Sequence, residues 1–163
     1  MIKRFKGFTL IELIVTVSIV AILATVAMPM LQMTVQRSKE TELRANLRQI
    51  REAIDAYKKA SDDGRIKKNI QDTGYPPNLD VLVNGVVNEK DIEKNTGKSK
   101  LKFLRRIPLD PMTKAENATD LPSNWGLRSY ESDAANPSEG EDVFDVYSLS
   151  QQIGINGVPY AKW

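Results

Sequence analysis

From Phe8 to Leu31 the chain is nearly all apolar: 18 of 24 residues are hydrophobic and Glu12 is the one charge. A helix of that length rises far enough, at about 1.5 Å per residue, to cross a hydrocarbon layer of roughly 30 Å. The pattern then changes. Leu43, Leu47, Ile50, Ile54 and Tyr57 follow at spacings of four, three, four and three, which predicts an amphipathic helix with one apolar stripe. Glu40, Arg44, Glu52 and Lys59 are assigned to its solvated face, with Glu40 ahead of Arg44 in the favourable i,i+4 order. Ser61-Asp62-Asp63-Gly64 ends the run. A single helix from Phe8 to about Ala60 would hold 53 residues and span roughly 80 Å, so its second half lies outside any bilayer. Pro29 withholds one backbone N–H within it and predicts a kink.

Beyond the helix the periodicity shortens. Tyr75-Pro76-Pro77 breaks the chain, Asn78 to Val83 reads as a short capped helix, and Asn84-Gly85 stops it. Val86 to Lys100 is rich in charge, Asn and Gly and reads as a loop. Leu127–Glu131 and Asp142–Leu149 are β-rich and predict antiparallel strands joined by the polar segment Ser132–Glu141, with a weaker strand near Tyr160–Trp163. A head of this size has few core residues of its own, so it is expected to pack on the helix stripe. The fold class is α+β: a long amino-terminal helix, with a transmembrane first half and an amphipathic second half, on a small antiparallel β-sheet head. The expected segments are 1–7, a leader; 8–31, the membrane helix; 32–60, its amphipathic continuation; and 61–163, the head.

Composition narrows the chemistry. The 163 residues include no Cys and no His, which excludes disulfides, Cys/His zinc sites, haem ligation and every nucleophile–His triad. No glycine-rich phosphate loop is present either. The reading is not an enzyme. Of the 23 basic residues, Lys3, Arg4 and Lys6 precede the apolar run, and this flank predicts a cytoplasmic amino terminus with the remainder outside. A secretory signal peptide opens the same way. The run is longer than the usual 7–15 residues of such a signal and passes without a turn into the charged helical pattern near Arg37. Ala21, Ala24 and Ala27 provide weak cleavage-like spacing, so conventional cleavage stays as an alternative.

Glu12 is the most informative residue. A carboxylate in hydrocarbon costs a few kcal/mol on insertion scales and usually has a partner or a role. Either the helix sits shallowly, with Glu12 among the headgroups, or the carboxylate pairs with a leader cation or with a new α-amino group made by cutting after Gly7. Gly7-Phe8-Thr9-Leu10-Ile11-Glu12-Leu13, preceded by Lys3, Arg4 and Lys6, resembles the prepilin signature of type IV pilins and type II secretion pseudopilins. The resemblance implies that a prepilin peptidase cuts between Gly7 and Phe8 on the cytoplasmic side and methylates the Phe8 amine. It implies that Glu12 pairs with the Phe8 amine of a neighbouring subunit during assembly, and pilins also carry a proline at the place of Pro29. Removing residues 1–7 takes three cations from 23, leaving 20 against 21 acids and a net charge of −1.

Tyr75-Pro76 with Leu79 and Leu82, then Phe103-Leu104-Arg105-Arg106-Ile107-Pro108-Leu109-Asp110-Pro111, then Phe144-Asp145-Val146-Tyr147-Ser148-Leu149, are similar in order and spacing to the major, G-type pseudopilins of type II secretion. That resemblance implies a structural subunit of the bacterial inner membrane, single-pass, with a periplasmic head. It would polymerise with copies of itself into a short filament that drives protein export, together with minor pseudopilins and an inner-membrane assembly platform. Two alternatives stand beside this: a pilin of a surface type IV pilus, and a membrane-anchored binding domain that never polymerises.

The match breaks at one point. The G-type subunits continue past this strand with an acidic loop that binds calcium, whereas Ser150-Gln151-Gln152-Ile153 follows here, Gln152 stands at the Asp position, and Ile155 to Trp163 contains no acid. Calcium takes six to eight oxygens, several from carboxylates. The calcium site is expected to be lost or rebuilt, and no cofactor is assigned. Glu131, Asp133, Glu139, Glu141, Asp142 and Asp145 lack EF-hand spacing and read as a solvated acidic loop. Lys98, Lys100, Lys102, Arg105 and Arg106 surround Phe103, but no nucleic-acid motif accompanies them, so a solvated or subunit-facing patch is the expectation rather than a nucleic-acid site.

Overall fold

A computed structural model describes residues 7–69, 71–90, 99–113 and 125–163, the Val26 side chain excepted. Lys98 therefore lies outside the described residues, as do leader positions 1–6 and most of the segment read as a loop. The long helix is present: α1 runs Leu10–Asp62, 53 residues with Pro29 inside it. The chain divides into two compact units, Met1–Ser38 and Lys39–Trp163.

In the first unit, α1 is capped by Thr9. The Thr9 Oγ1 accepts the Glu12 N–H at 3.3 Å and the Thr9 carbonyl accepts the Leu13 N–H at 3.2 Å, which satisfies donors that a helix start leaves without partners. Among the described residues of this unit there is no packed core. Phe8, Leu13, Leu23 and Leu31 are all largely exposed.

In the second unit the same helix becomes the floor of a core. Leu43, Leu47, Ile50, Ile54 and Tyr57 are buried as the stripe predicts, with Ala53 and Ala60 completing it. Against this floor lie Leu79 and Leu82, Leu104, Trp125, Val143, Val146 and Tyr160. The second helix, α2, spans Asp80–Asn84; Asn78 Oδ1 accepts the Val81 N–H at 3.1 Å, and Gly85, at φ 78°, stops the helix in a conformation that other residues rarely adopt.

The expected loop at Val86–Lys100 is a correction. Val86–Val87 (β1) pairs antiparallel with Lys100–Leu101 (β2), Val86 opposite Leu101. Two-residue strands leave too little alternation for a sequence pattern to register.

The second sheet joins Trp125–Arg128 (β3) to Asp145–Ser148 (β4), antiparallel, with Gly126 opposite Tyr147. Both strands were expected, but β3 starts two residues earlier than the reading. Trp125 belongs to it because its buried indole N–H finds the Pro108 carbonyl at 2.8 Å. Glycine is required at 126 for space: a Cβ there would stand 2.3 Å from the Tyr147 ring. The expected final strand is instead a 3₁₀ turn at Tyr160–Lys162. Tyr160 is buried against Trp163, ring centroids 5.0 Å apart, and this packing curls the end inward.

Candidate functional site

The span from Phe8 to Leu31 holds few polar side chains, and in hydrocarbon each needs an internal partner. Thr16 donates to the Leu13 carbonyl at 2.9 Å, Ser18 to Ile14 at 2.8 Å and Thr25 to Ile22 at 2.7 Å. Thr9 serves as the cap. Glu12 differs: among the described residues its carboxylate makes no ion pair, and only its backbone N–H is engaged, by Thr9. Thr9-Leu10-Ile11-Glu12 is an S/T-x-x-E sequence, so the cap was there to be found in the sequence and was missed.

Gly7 and Phe8 precede the helix, and Phe8 is 83% exposed. Among the described residues nothing lies within 4 Å of where a Gly7 Cβ would stand, and Gly7 is not among the positive-φ glycines. Packing among the described residues thus provides no reason for glycine at position 7. Pro29 sits within the continuous run of α1, and its missing N–H leaves the Thr25 carbonyl without the usual helical donor. One helix, capped by Thr9, therefore carries Glu12 and Pro29, with Gly7 and Phe8 just ahead of it.

In the head, three buried carboxylates hold segments far apart in sequence. Glu40 was assigned to the solvated face; it is instead buried, with its Oε1 accepting the Ile155 N–H at 2.7 Å and the Tyr160 O–H at 2.9 Å. Asp110 accepts the Ser148 O–H at 2.5 Å and the Met112 N–H at 2.8 Å. Asp142 accepts the Tyr130 N–H at 2.9 Å and the Thr73 hydroxyl. The solvated-loop reading of the six acids therefore fails at Asp142, and at Asp145, whose Oδ1 lies 2.7 Å from Arg51 Nε; Glu131, Asp133, Glu139 and Glu141 are exposed as expected. Arg51 also donates to the carbonyls of Val146, at 3.1 Å, and Trp163, at 2.8 Å, so one guanidinium ties α1 to β4 and to the 3₁₀ turn.

The resemblance implies a calcium loop in the segment that follows β4. Ser150 to Ala161 contains no acid. Glu40, a carboxylate that reaches it, receives N–H and O–H donors on the oxygen that faces the turn. Among the described residues no group of three or more acidic, His or Cys side chains converges as a metal site. In the basic cluster, Lys100, Lys102, Arg105 and Arg106 are exposed while Phe103 turns inward onto Tyr57, ring centroids 5.5 Å apart. Burial raises the Tyr57 phenol above its usual range, with the Asp72 charge adding to the effect.

Comparison with known proteins bears on both units. Residues 2–28 match the family model described as the prokaryotic N-terminal methylation motif. Over 115 residues the chain is 29% identical to the Type II secretion system core protein G of Pseudomonas aeruginosa, an alignment covering 67% of this chain and 69% of that protein. No solved structure matches the chain.

Proposed function

We propose, from the premise that this chain is a type IV pilin-like protein of the pseudopilin group, that it is a structural subunit of a type II secretion pseudopilus. The observation that carries the reading is Glu12: among the described residues of the apolar span from Phe8 to Leu31 it is the polar side chain left without a partner, and it stands four residues from Phe8, where the proposed cut would create a new amino terminus. The precursor waits in the inner membrane with residues 1–7 cytoplasmic and the head periplasmic. Prepilin peptidase cuts between Gly7 and Phe8, and the small Gly7 admits the chain to its active site. The new α-amino group, then methylated, is cationic near neutral pH. It supplies the charge that Glu12 of the adjoining subunit requires in a low-dielectric environment, while the apolar faces of neighbouring helices bury one another. Pro29 loosens the helix where packed copies must adjust. Minor pseudopilins and the assembly platform act on the growing filament. The carboxy-terminal turn is held by Glu40 and Arg51 without calcium.

Intact mass of the chain from native membranes, with and without the peptidase, tests the processing step. A peptidase-dependent species beginning at methylated Phe8 is expected; a chain that keeps residues 1–7 in both favours the anchored domain that never polymerises. Glu12→Ala should be cut normally yet lose filament yield by at least about tenfold, the effect of roughly 1.4 kcal/mol per subunit contact. Wild-type yield from that variant would refute the pairing. The methylation motif alone fits a surface type IV pilus equally well. Loss of surface filaments with secretion intact, on deleting the gene, would favour that second reading.

A further inference from the structure

The two ends of the Lys39–Trp163 unit expose different chemistry. At one end, near Ser61 and Thr73, the surface is polar and carries Glu131, Glu139 and Glu141 with Lys67 and Lys68. At the other, where α1 enters the unit, lies a turn without a single charge: Ile153-Gly154-Ile155-Asn156-Gly157-Val158-Pro159-Tyr160-Ala161. Its backbone is closed on itself. Gly154 N–H meets the Val158 carbonyl and Gly157 N–H meets the Gly154 carbonyl, both at 2.9 Å, and Gly157 adopts φ 78°. Glu40 pins the turn to the helix. Held so firmly, it still leaves Ile153, Ile155 and Val158 at 60%, 41% and 38% exposure. Beside them, Arg44 stacks over the Trp163 ring at 4.3 Å, and with Lys162 these residues line a shallow cavity of about 310 Å³. Arg51, on the same cavity, is paired with Asp145; Arg44 and Lys162 make no ion pair among the described residues.

We infer that this turn, with Arg44, Lys162 and Trp163, is a docking surface for an anionic lipid headgroup layer, the surface of the bilayer that residues 8–31 enter. The inference rests on the membrane-anchoring reading. Only eight residues separate Leu31 from Glu40, a length that reaches at most about 30 Å in any conformation, so the Glu40 end of the unit is tethered near the bilayer surface. The Ser61 end is thirty residues from Leu31 and carries, alongside Lys67 and Lys68, the acids that such a surface repels. The chemistry fits the interfacial layer: Ile and Val side chains enter the acyl boundary, Trp163 sits at headgroup depth, and Arg44 and Lys162 extend their cations to phosphates. Because the turn is already ordered, docking adds little ordering cost. A patch this small binds weakly by itself, which suits a subunit that must later leave the membrane.

The absence of native cysteine makes the test direct. The full-length chain, reconstituted into phosphatidylcholine vesicles with and without phosphatidylglycerol, carries a nitroxide at Val158→Cys or, as a control, at Glu139→Cys. Flotation reports anchoring independently of the labels. The expected result is a label at 158 accessible to oxygen and shielded from a nickel chelate on anionic vesicles, and a label at 139 that stays aqueous. Arg44→Gln with Lys162→Gln should return the 158 label at least half-way to the aqueous value. A chain that floats but shows equal nickel access at both sites overturns the inference while leaving the anchor intact. Dipolar broadening at 158 would also overturn it, by making a second copy the occupant. A chain that does not float overturns the anchoring reading and the inference with it.

Discussion

Leu13 and Ile54 belong to one helix, yet Leu13 is 58% exposed and Ile54 fully buried. Both stand in stretches that a hydropathy pattern marks as apolar. The difference is one of partners. Beyond Lys39 the helix has the head's own side chains to pack against, whereas the described side chains from Phe8 to Leu31 are exposed. Such a surface, apolar around its whole circumference, belongs in lipid or among copies of itself. The amphipathic stretch needs only one covered face and obtains it from α2, the sheets and the 3₁₀ turn.

The contrast can be broken by paired substitutions read in detergent. Ile50→Ala should cost the head about 2–5 kcal/mol, since it opens a cavity in a fully buried site, whereas Leu23→Ala should leave head unfolding unchanged. Thermal unfolding followed by near-UV circular dichroism checks both, and equal shifts would erase the distinction between the two halves. A second substitution sharpens the account of the carboxylates. Glu40→Ala leaves the Ile155 N–H and the Tyr160 hydroxyl without acceptors, and a loss of about 1–3 kcal/mol is expected. Hydrogen exchange at Ile155 should speed up in step, and unchanged exchange there would show that Glu40 does not hold the turn.

Gly126→Ala tests the sheet at somewhat smaller cost. The added methyl meets the Tyr147 ring, and an overpacking penalty of about 1–2 kcal/mol should appear as a lower denaturant midpoint. Relief of that penalty by Tyr147→Ser would tie it to the ring. The smallest effect belongs to Asp62, exposed at the helix end. Its carboxylate accepts Lys58 Nζ at 2.6 Å, and this hydrogen bond, aided by the charges of Lys58 and Lys68, holds its pKa below the ordinary 3.8. A depressed carboxylate contributes stability above its unfolded-state pKa and loses it as the pH falls through the lower folded value. The stability difference between wild type and Asp62→Asn should therefore be present above pH 3.8 and close below it. A difference that persists at lower pH would assign the effect to packing.

Much of this architecture was legible beforehand because long periodic signals survive any tertiary context. The span from Phe8, the stripe from Leu43 to Tyr57 and the stop at Ser61 follow from helix geometry alone. The motif around Gly7, Phe8 and Glu12 was legible for a related reason: its residues lie on one continuous stretch, so spacing in sequence is spacing in space. The short strands Val86–Val87 and Lys100–Leu101 were not legible, since two residues cannot display an alternation. Tyr160 was read as strand because an aromatic near a chain end satisfies strand propensity, whereas its packing against Trp163 and its bond to Glu40 favour a tight turn.

By itself the sequence determined what is local: where the helix runs, which stretch is apolar enough to leave water, and that a lone carboxylate sits in it five residues past Gly7. Tertiary structure alone decided the fate of the other charges. Glu40 lies 115 residues from Ile155 and Arg51 lies 94 from Asp145, and nothing in the spacing of either pair announces that they meet. The reason is physical. A charged residue on a helix is solvated by default, and only when folding brings a distant N–H or an opposite charge against it does burial become favourable.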